Sequence, residues 1–481
     1  SMTVAPPRLV VAGAGGDSGK TLVSLGLASA WRQAGFAVAA FKKGPDYIDA
    51  AWLTRATARP ARNLDTWLMG EPGVLRSFSA HSEGADVSLV EGNRGLLDGL
   101  DGMSTAALAN TLGAPVLLVL DVTKVTRTAA AFVAGCRALA PETNIAGVVV
   151  NRRAGSRHES EVRRAIEEET GVPVLGAIPK LKDPHLLPDR HLGLVPPEEH
   201  DRMVGVVRRL GEVMGEYADL DALLDIARTA GPLPAVADPI RGRDAGTEKN
   251  TASPVRVGVF MDSAFTFYYP ENLEALEAAG ARIVPVSALD DPLLPEVDLL
   301  YIGGGFPETH AATLAGNRSL IDSVRSAVGE GLPVYAECGG LIWLSRSVTW
   351  NGQTAAMAGV LGVDIEVEDK PQGHGYAEMV VTEENPFFEP GTVLRGHEFH
   401  YSRLSGEPVG TRTSMEVRRG TGSLAGRDGL VTDHVFASWN HLHATATPEW
   451  APALVAAARR RACPGRSGEN PKQATCGSTN R

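Results

Sequence analysis

The sequence is poor in cysteine and basic residues and has no long hydrophobic run, and each shortage excludes a class of protein. Its four cysteines, Cys136, Cys338, Cys463 and Cys476, lack the paired spacing of a disulfide framework or a zinc site. The longest apolar run, 115–120, is strand-sized and far short of the roughly 20 residues of a membrane span. Lys and Arg number 46 against 57 Asp and Glu, and no segment has the basic character of a nucleic-acid binder.

What the chain does have is an ordinary globular composition over the length of several domains. Of its 481 residues, 43% are hydrophobic and 21% are charged, which excludes disordered, collagen-like and coiled-coil proteins. The length is about three times that of a ~150-residue domain. We therefore expect a soluble, cytoplasmic α/β protein with two or three domains.

Short β-branched runs alternate with helical segments in the first half of the chain. Continuous apolar runs separated by helices are typical of strands buried on both faces of a parallel sheet. The pattern predicts a doubly wound parallel sheet with a first helix at 21–33. Its strands are predicted at 9–13, 36–41, 87–92, 115–121, 145–151 and 173–179.

A change of composition near residue 228 separates this half from a second α/β unit. Residues 229–253 are rich in Gly, Pro, Ala, Asp and Ser without periodicity, which predicts a linker. We expect domains at 8–228 and 254–462, followed by a disordered tail at 463–481. In the second unit we predict a helix at 270–279, strands at 255–260, 281–286, 298–305 and 332–337, and alternating strands and turns over 358–436.

The first strand runs into the segment GAGGDSGKT, Gly13 to Thr21, which predicts a phosphate-binding loop. Backbone N–H groups in such a loop, together with the helix N-terminus, form a cradle for phosphate oxygens. Lys20 can reach the β- and γ-phosphates, and the Thr21 hydroxyl can hold Mg²⁺. The other predicted nucleotide-binding residues are Gly13, Gly16, Ser18 and Gly19, with Gly13 one position earlier than the usual first glycine, as in a longer variant of the loop.

Charged residues follow the next two strands, where each strand ends. In open α/β sheets ligands bind beyond the carboxyl ends of the strands, so these groups are expected to converge on one Mg-nucleotide. Mg²⁺ prefers one or two carboxylates with phosphate oxygens and water, and Glu91 and Asp46 are the preferred candidates beside Thr21. Each acid taken alone is also compatible with a solvated loop residue. The whole set is Lys42, Asp46, Asp49, Glu91 and Asp98.

The segment VYAECGGL places Cys338 between a strand and a helix, with two glycines after it. A sharp turn exposes its central side chain and points it at a helix N-terminus, which predicts a nucleophile with a lowered thiol pKa. The alternative is a buried core cysteine, which is common for this residue type. Gly304 and Gly305 end another strand and could offer backbone donors to an oxyanion.

A thiolate nucleophile needs a base, and two pairs of histidines lie downstream. One pair, His397 and His400, lies in GHEFHYS, and the other, His441 and His443, lies in SWNHLH. Periodicity leaves the choice between them open.

These motifs together resemble the cobyrinic acid a,c-diamide synthase family over residues 8 to 460. The first half also resembles dethiobiotin synthetase, both in its glycine spacing and in the lysine that ends the second strand. The resemblance implies that the second unit is a class I glutamine amidotransferase-like domain. The matching motifs are GAGGDSGKT, FKKGPDYID, NLDTWLMG, VEGNRGLLDG, PDRHLGLVP, FYYPENL, GGGFPE, YAECGG and GHEFHYS.

The resemblance implies ATP-dependent amidation of the a and c acetate carboxylates of a corrin, with Mg²⁺ and with L-glutamine as nitrogen donor. Cys338 matches the family's nucleophile and His441 the histidine that activates it. Trp439 stands where Tyr is usual, and His443 stands where typical triads place a glutamate, so the third member is unassigned. Ammonia reacts only in its unprotonated form, so we expect the two domains to pack closely and shield it from bulk water. A homodimer is one assembly that is compatible with the resemblance.

Competing functions remain at this point. Amidation of an isobacteriochlorin such as sirohydrochlorin or sirohaem is one, because Asn93 and Arg94 replace the Val-Met of corrin-amidating members. The Arg94 side chain could bind the carboxylates of either macrocycle. The alternative is a solvent-exposed charge in a loop. A switch-type ATPase would carry lysine at Gly15 and would not need Cys338. The presence of both Cys338 and His441 argues against an inactive relative. The GHEFHYS segment differs from the corresponding element of relatives that form cobyric acid, which argues against that reaction.

Overall fold

The computed structural model describes residues 5–100, 102–182, 200–234 and 253–462. The chain divides into two compact units, Ser1–Ala237 and Asp238–Arg481. The PDRHLGLVP motif, most of the expected linker and the expected tail with Cys463 and Cys476 lie outside the described residues. Among the helices that are described, none combines the length and the apolar character needed to cross a bilayer.

The first unit contains a seven-stranded sheet in the order β3-β2-β4-β1-β5-β6-β7, with every neighbouring pair parallel. The predicted doubly wound parallel sheet is confirmed. Its continuous apolar runs are buried throughout, as β1 illustrates. The short strand β3 is the one that apolar patterning missed. The strands are β1 Arg8–Gly13, β2 Val38–Lys43, β3 Arg62–Leu64, β4 Val87–Gly95, β5 Val116–Asp121, β6 Ile145–Arg153 and β7 Val174–Pro179.

Helices connect and flank these strands. Side-chain caps fix several helix starts, because an Asp or Ser oxygen accepts a backbone N–H of the first turn, as Asp65 does from Leu68. Within α3 the backbone leaves the helical region at Gly70, where φ is 65°. The helices are α1 Lys20–Gln33, α2 Tyr47–Thr57, α3 Thr66–Ser82, α4 Thr105–Leu112, α5 Thr128–Leu139, α6 Ser156–Thr170, α7 His200–Tyr217 and α8 Leu220–Arg228.

The second unit is built on a ten-stranded sheet in the order β21-β16-β15-β18-β19-β20-β11-β10-β8-β9. Neighbouring strands are parallel from β9 through β8, β10 and β11 to β20. They are antiparallel from β20 through β19, β18, β15 and β16 to β21. Its strands are β8 Val255–Phe260, β9 Ala281–Val286, β10 Leu299–Ile302, β11 Val334–Glu337, β15 Gly373–Val381, β16 Val393–His400, β18 Arg412–Arg419, β19 Arg427–Thr432, β20 Val435–Ser438 and β21 Asn440–Leu442.

A smaller four-stranded sheet and five α-helices complete the described part of this unit. The small sheet has the order β13-β12-β14-β17, with β12 Ser347–Trp350, β13 Gln353–Ala356, β14 Asp364–Val367 and β17 Ser402–Ser405. The helices are α9 Pro270–Ala278, α10 Ala311–Gly316, α11 Arg318–Gly329, α12 Gly339–Leu344 and α13 Trp450–Ala462. The connection from β11 to α12 carries Cys338, and the pairing of β16 with β21 aligns His397 with His441.

Candidate functional sites

The loop between β1 and α1 has a closely packed glycine at each end, Gly13 and Gly19, where a side chain would collide with its neighbours. A Cβ at Gly13 would lie 2.4 Å from Ser18 Oγ, and one at Gly19, where φ is 99°, would lie 2.2 Å from Asn151 Nδ2. A Cβ at Gly15 or Gly16 would meet nothing within 4 Å. The loop is therefore closely held at its two ends and open in its middle.

The open part of this loop fits a phosphate group. Ser18 Oγ is buried and has no hydrogen-bond partner among the described residues, and a phosphate oxygen would satisfy it. The end of β6 holds the loop in place, because Asn151 Nδ2 donates to Ser18 O at 3.1 Å and Arg152 Nη1 donates to Asp17 O at 3.2 Å. Sequence reasoning missed Asn151, although a polar residue ending a buried strand was a usable signal.

Lys42, at the end of β2, lies at the centre of a buried charge cluster. Its Nζ is 2.8 Å from Asp49 Oδ2 and 3.3 Å from Glu91 Oε2, and it donates to Gly92 O at 2.9 Å. Burial alone would lower the pKa of Lys42, but the charges of Asp49 and Glu91 outweigh it, so the pKa is raised. Lys42 is a fixed cation at the carboxyl edge of the sheet.

Lys20 belongs to the same cluster. Burial and the nearby Lys42 charge lower the pKa of Lys20, while Glu91, Asp49 and Asp46 oppose that shift. The strand-end argument had placed these groups at one edge, and the structure brings together Lys20, Lys42, Asp46, Asp49 and Glu91. Two cations beside a phosphate cradle are suited to stabilising charge on a phosphoryl group.

The residues predicted to hold Mg²⁺ lie in the same place. The Thr21 hydroxyl hydrogen-bonds to Glu91, and burial raises the pKa of Glu91. The second oxygen, Glu91 Oε1, is buried without a hydrogen-bond partner in the described part of the chain. Asp46 caps α2 by accepting from Asp49 N at 2.8 Å, and burial followed by the Asp49 charge raises its pKa. This donor set fits Mg²⁺, which needs few protein ligands when phosphate and water supply the rest.

A metal site built from protein side chains alone is a different matter. No group of three or more His, Cys, Asp or Glu side chains that could hold a metal ion occurs among the residues that the structure describes. The Thr21 and Glu91 pair would therefore depend on nucleotide oxygens to complete the coordination of an ion.

Asp98 and Arg94 lie in and next to the turn after β4. Asp98 is exposed, and its Oδ2 accepts from Gly95 N at 2.9 Å, which stabilises this turn. Arg94 is exposed in a left-handed conformation with φ of 54°, and its charge acts on Lys43. Asp98 has a local structural role, and Arg94 remains available to an acidic ligand.

Cys338 occupies the predicted sharp turn between β11 and α12. Its φ of 47° and ψ of −97° are strained for a residue with a side chain, as at other nucleophile turns. Cys338 N donates to Ser438 O at 2.8 Å, and its carbonyl accepts from Ile342 N as α12 begins. The strained conformation is thus fixed on both sides by backbone hydrogen bonds.

The Gly303–Gly305 turn packs directly against this nucleophile turn. A Cβ at Gly339 would lie 2.9 Å from Gly305 N, and one at Gly304 would lie 2.6 Å from His441 Cε1. The FYYP segment braces the turn, because Phe267 N donates to Gly304 O at 3.1 Å and Gly303 N donates to Tyr268 Oη at 2.8 Å. Gly304 therefore lies between the turn that carries Cys338 and the ring of His441.

His397 and His400 lie on β16, and His441 and His443 lie on and just after the neighbouring strand β21. His441 on β21 stacks on His397 of β16, with ring centroids 5.0 Å apart, and Cys338 Sγ donates to Phe399 O at 3.6 Å. His400 stacks on Trp439 and has its Nε2 3.5 Å from Glu398 Oε2. His443 has its Nε2 3.6 Å from Glu271 Oε2. Of these four residues, His441 is the one whose ring approaches Gly304 of the Gly303–Gly305 turn.

The expected lowering of the thiol pKa is wrong. Burial raises the pKa of Cys338 well above its ordinary value, and the charges of Glu308, Glu337 and Glu398 act in the same direction. These contributions outweigh the hydrogen bond from the Gly339 backbone. Burial lowers the pKa of His441 to about 3, so the imidazole is neutral at neutral pH. Cys338 is therefore a thiol and His441 a neutral imidazole in the resting protein.

Glu337 links β11, which leads into Cys338, to β21, which carries His441. It is fully buried, and its Oε2 accepts from Leu442 N at 2.7 Å and from Tyr335 Oη at 3.0 Å. Its other oxygen accepts from Tyr301 Oη at 3.3 Å. Since Glu337 precedes Cys338 and Leu442 follows His441, these bonds hold the segments that carry Cys338 and His441 together. The sequence alone offered no signal for this role.

Each half of the chain matches a family of known protein domains. Residues 9–195 match the model of the CobQ/CobB/MinD/ParA nucleotide binding domain. Residues 256–449 match the model of the CobB/CobQ-like glutamine amidotransferase domain. These ranges contain the charge cluster and the nucleophile turn, respectively.

Similar proteins extend over nearly the whole chain. A cobyrinate a,c-diamide synthase of Magnetococcus marinus is 43% identical over 452 residues, which cover 93% of this chain and 96% of the relative. One of Methanothermobacter thermautotrophicus is 39% identical over 450 residues, covering 92% and 98%. A crystal structure of a glutamine amidotransferase covers 42% of this chain and 98% of its own, with 22% identity and a TM-score of 0.32.

Proposed function

The chain belongs to the cobyrinate a,c-diamide synthase family, and on that premise we propose that it amidates the a and c acetate carboxylates of cobyrinic or hydrogenobyrinic acid. It is a glutamine-dependent amidating ligase with a nucleotide-binding domain. ATP would supply the energy and L-glutamine the nitrogen. The observation that carries the proposal is the presence, in one chain, of the Lys20–Lys42–Glu91 cluster and the Cys338 turn beside His441.

The nucleotide-binding unit would activate the carboxylate. A carboxylate oxygen attacks the γ-phosphorus of ATP, and ADP leaves with the bridging oxygen, which gives an acyl phosphate. Ammonia then attacks the acyl carbon, phosphate leaves, and the nitrogen loses a proton to give the amide. Lys20 and Lys42 stabilise charge on the transferring phosphoryl group. Mg²⁺, held by Thr21 and Glu91 with Asp46 nearby, would add charge neutralisation when bound.

The second unit would release ammonia from glutamine. His441 takes the proton of the Cys338 thiol, the thiolate attacks the amide carbon, and ammonia leaves with the proton that His441 returns. Water cleaves the resulting thioester, giving glutamate and restoring the thiol. Backbone N–H groups of Gly304 and Gly305 are the proposed donors to the oxyanion. Both groups are neutral at rest, so the thiolate has to form by this proton transfer during the reaction.

Gly304→Ala tests the placement of His441. The added methyl group would lie 2.6 Å from His441 Cε1 and displace the ring. Because a shift of about 1 Å can lower a rate about 10²-fold, we expect glutamine hydrolysis to fall by that order. Amidation with ammonium salt should be unchanged. Gly329→Ala is the matched control, since a Cβ there meets nothing within 4 Å. Equal hydrolysis rates in the two variants would contradict the placement.

The substrate is tested with Mg-ATP, glutamine and one macrocycle at a time. Cobyrinic acid, hydrogenobyrinic acid, sirohydrochlorin and sirohaem are incubated separately, and mass spectrometry counts each replacement of a carboxyl OH by NH₂. We expect two replacements on a corrin and none without ATP. Amidation confined to an isobacteriochlorin would keep the chemistry and overturn the corrin substrate. ATP hydrolysis without any amidation would contradict the ligase proposal.

A further inference from the structure

Glu308 is a buried carboxylate beside the nucleophile that the mechanism above does not use. It lies in the short 3₁₀ turn Pro307–His310, directly after the Gly303–Gly305 turn. Its side chain is 8% exposed, and its Oε2 has no hydrogen-bond partner within the described residues. No Lys, Arg or His nitrogen of the described residues lies within 4.0 Å of it. Burial raises the pKa of Glu308 to about 7, and only a hydrogen bond from its own backbone N–H opposes that shift, so a bound cation would stabilise the charged form.

The position of Glu308 relates it to Cys338 rather than to His441. Its neighbour Pro307 has Cδ only 3.2 Å from the point where a Cβ of Gly339 would lie. Glu308 is the leading charge among those that hold the pKa of the Cys338 thiol high, ahead of Glu337 and Glu398. By contrast, the pKa of His441 responds to burial and to His400 and not to Glu308. Glu308 is therefore not placed to orient the base.

We propose that Glu308 binds the α-ammonium group of L-glutamine and thereby ties activation of Cys338 to the arrival of the correct substrate. The inference rests on the proposed glutaminase reaction. Glutamine carries a primary ammonium three carbons away from the amide carbon that Cys338 attacks. An anion next to the thiol opposes formation of a thiolate, and pairing with the ammonium group cancels that charge. The same contact would give both affinity and activation.

The test compares Glu308→Gln with the unmodified enzyme on two substrates. One is L-glutamine, and the other is deaminated glutamine, 5-amino-5-oxopentanoate, which keeps the amide and the carboxylate but lacks the ammonium group. Loss of a hydrogen bond between charged groups predicts that kcat/KM for glutamine falls about 10- to 100-fold in the variant. For deaminated glutamine, kcat/KM should change little, so the preference for glutamine should disappear.

A second readout distinguishes this role from a structural one. Burial raises the pKa of Glu308 to about 7, so above that pH removing its charge should lower the pKa of the Cys338 thiol, and iodoacetamide should alkylate Cys338 faster in the variant without substrate. The rate is followed by mass spectrometry of the peptide that contains Cys338. A variant that turns over glutamine more slowly yet has a more reactive thiol is not explained by misfolding. Ammonium-dependent amidation, which should be unchanged, provides the check on folding.

The control is Glu296→Gln, which removes a carboxylate whose side chain is 95% exposed in the same unit. It should leave both substrates and the alkylation rate unchanged. Equal losses on glutamine and on deaminated glutamine in Glu308→Gln, or an unchanged alkylation rate, would overturn the assignment of Glu308. Absence of glutamine hydrolysis in the unmodified enzyme would instead contradict the proposed function, so the two failures are distinguishable.

Discussion

Cys338→Ala should abolish amidation with glutamine as nitrogen donor and leave amidation with ammonium salt intact. The variant lacks the atom that attacks the glutamine amide, and removal of a catalytic nucleophile typically lowers the rate about 10⁴-fold or more. Free ammonia bypasses that step, and the Lys20–Lys42–Glu91 cluster is untouched. Product formation with each nitrogen source, followed by mass spectrometry, gives the two rates.

Cys136→Ala is the matched control for this experiment. Cys136 is also a buried free cysteine, but it lies on α5 in the first compact unit. Its replacement should change neither rate appreciably. Retention of glutamine-dependent amidation by Cys338→Ala, or equal loss of both nitrogen sources, would contradict the assignment of Cys338 as the nucleophile.

The sequence was most informative where neighbouring residues determine the structure. Continuous burial of β1 or β5 requires only an apolar run, and the phosphate loop is a contiguous motif, so both could be predicted. The strand-end rule also placed Lys42 and Glu91 correctly at one edge. For Asp98 the rule did not reveal the local bond that its carboxylate accepts from Gly95 N in its own turn.

The second site depended on contacts between distant segments. The nucleophile turn is local and was predicted, but the thiol pKa is set by burial and by Glu308 and Glu398, which come from other parts of the chain. The same holds for the arrangement of the histidines, since the pairing of β16 with β21 and the approach of Gly304 to His441 are long-range. A sequence pattern identified the candidate residues, but their spatial arrangement depends on the fold.

Lys20→Met should abolish ATP-dependent amidation with both glutamine and ammonium salt, in contrast to the Cys338 variant. Lys20 is the loop lysine expected to contact the transferring phosphoryl group, and loss of such a charge typically lowers the rate about 10²- to 10³-fold. Glutamine hydrolysis in the absence of ATP should persist, because Cys338 and His441 lie in the other unit. The three rates are measured on the same preparation.

The melting temperatures of the Lys20 and Lys42 variants distinguish a catalytic role from a structural one. Burial lowers the pKa of Lys20, so its charged form is disfavoured in the folded state, and Lys20→Met should not lower the melting temperature at neutral pH. Asp49 and Glu91 raise the pKa of Lys42, so Lys42→Met should lower the melting temperature, because it removes the cation 2.8 Å from Asp49 and 3.3 Å from Glu91. Lys180→Gln, at an exposed position after β7, should change neither activity nor stability. A Lys20 variant that melts earlier, or that retains amidation with ammonium salt, would contradict the role of Lys20 in phosphoryl transfer.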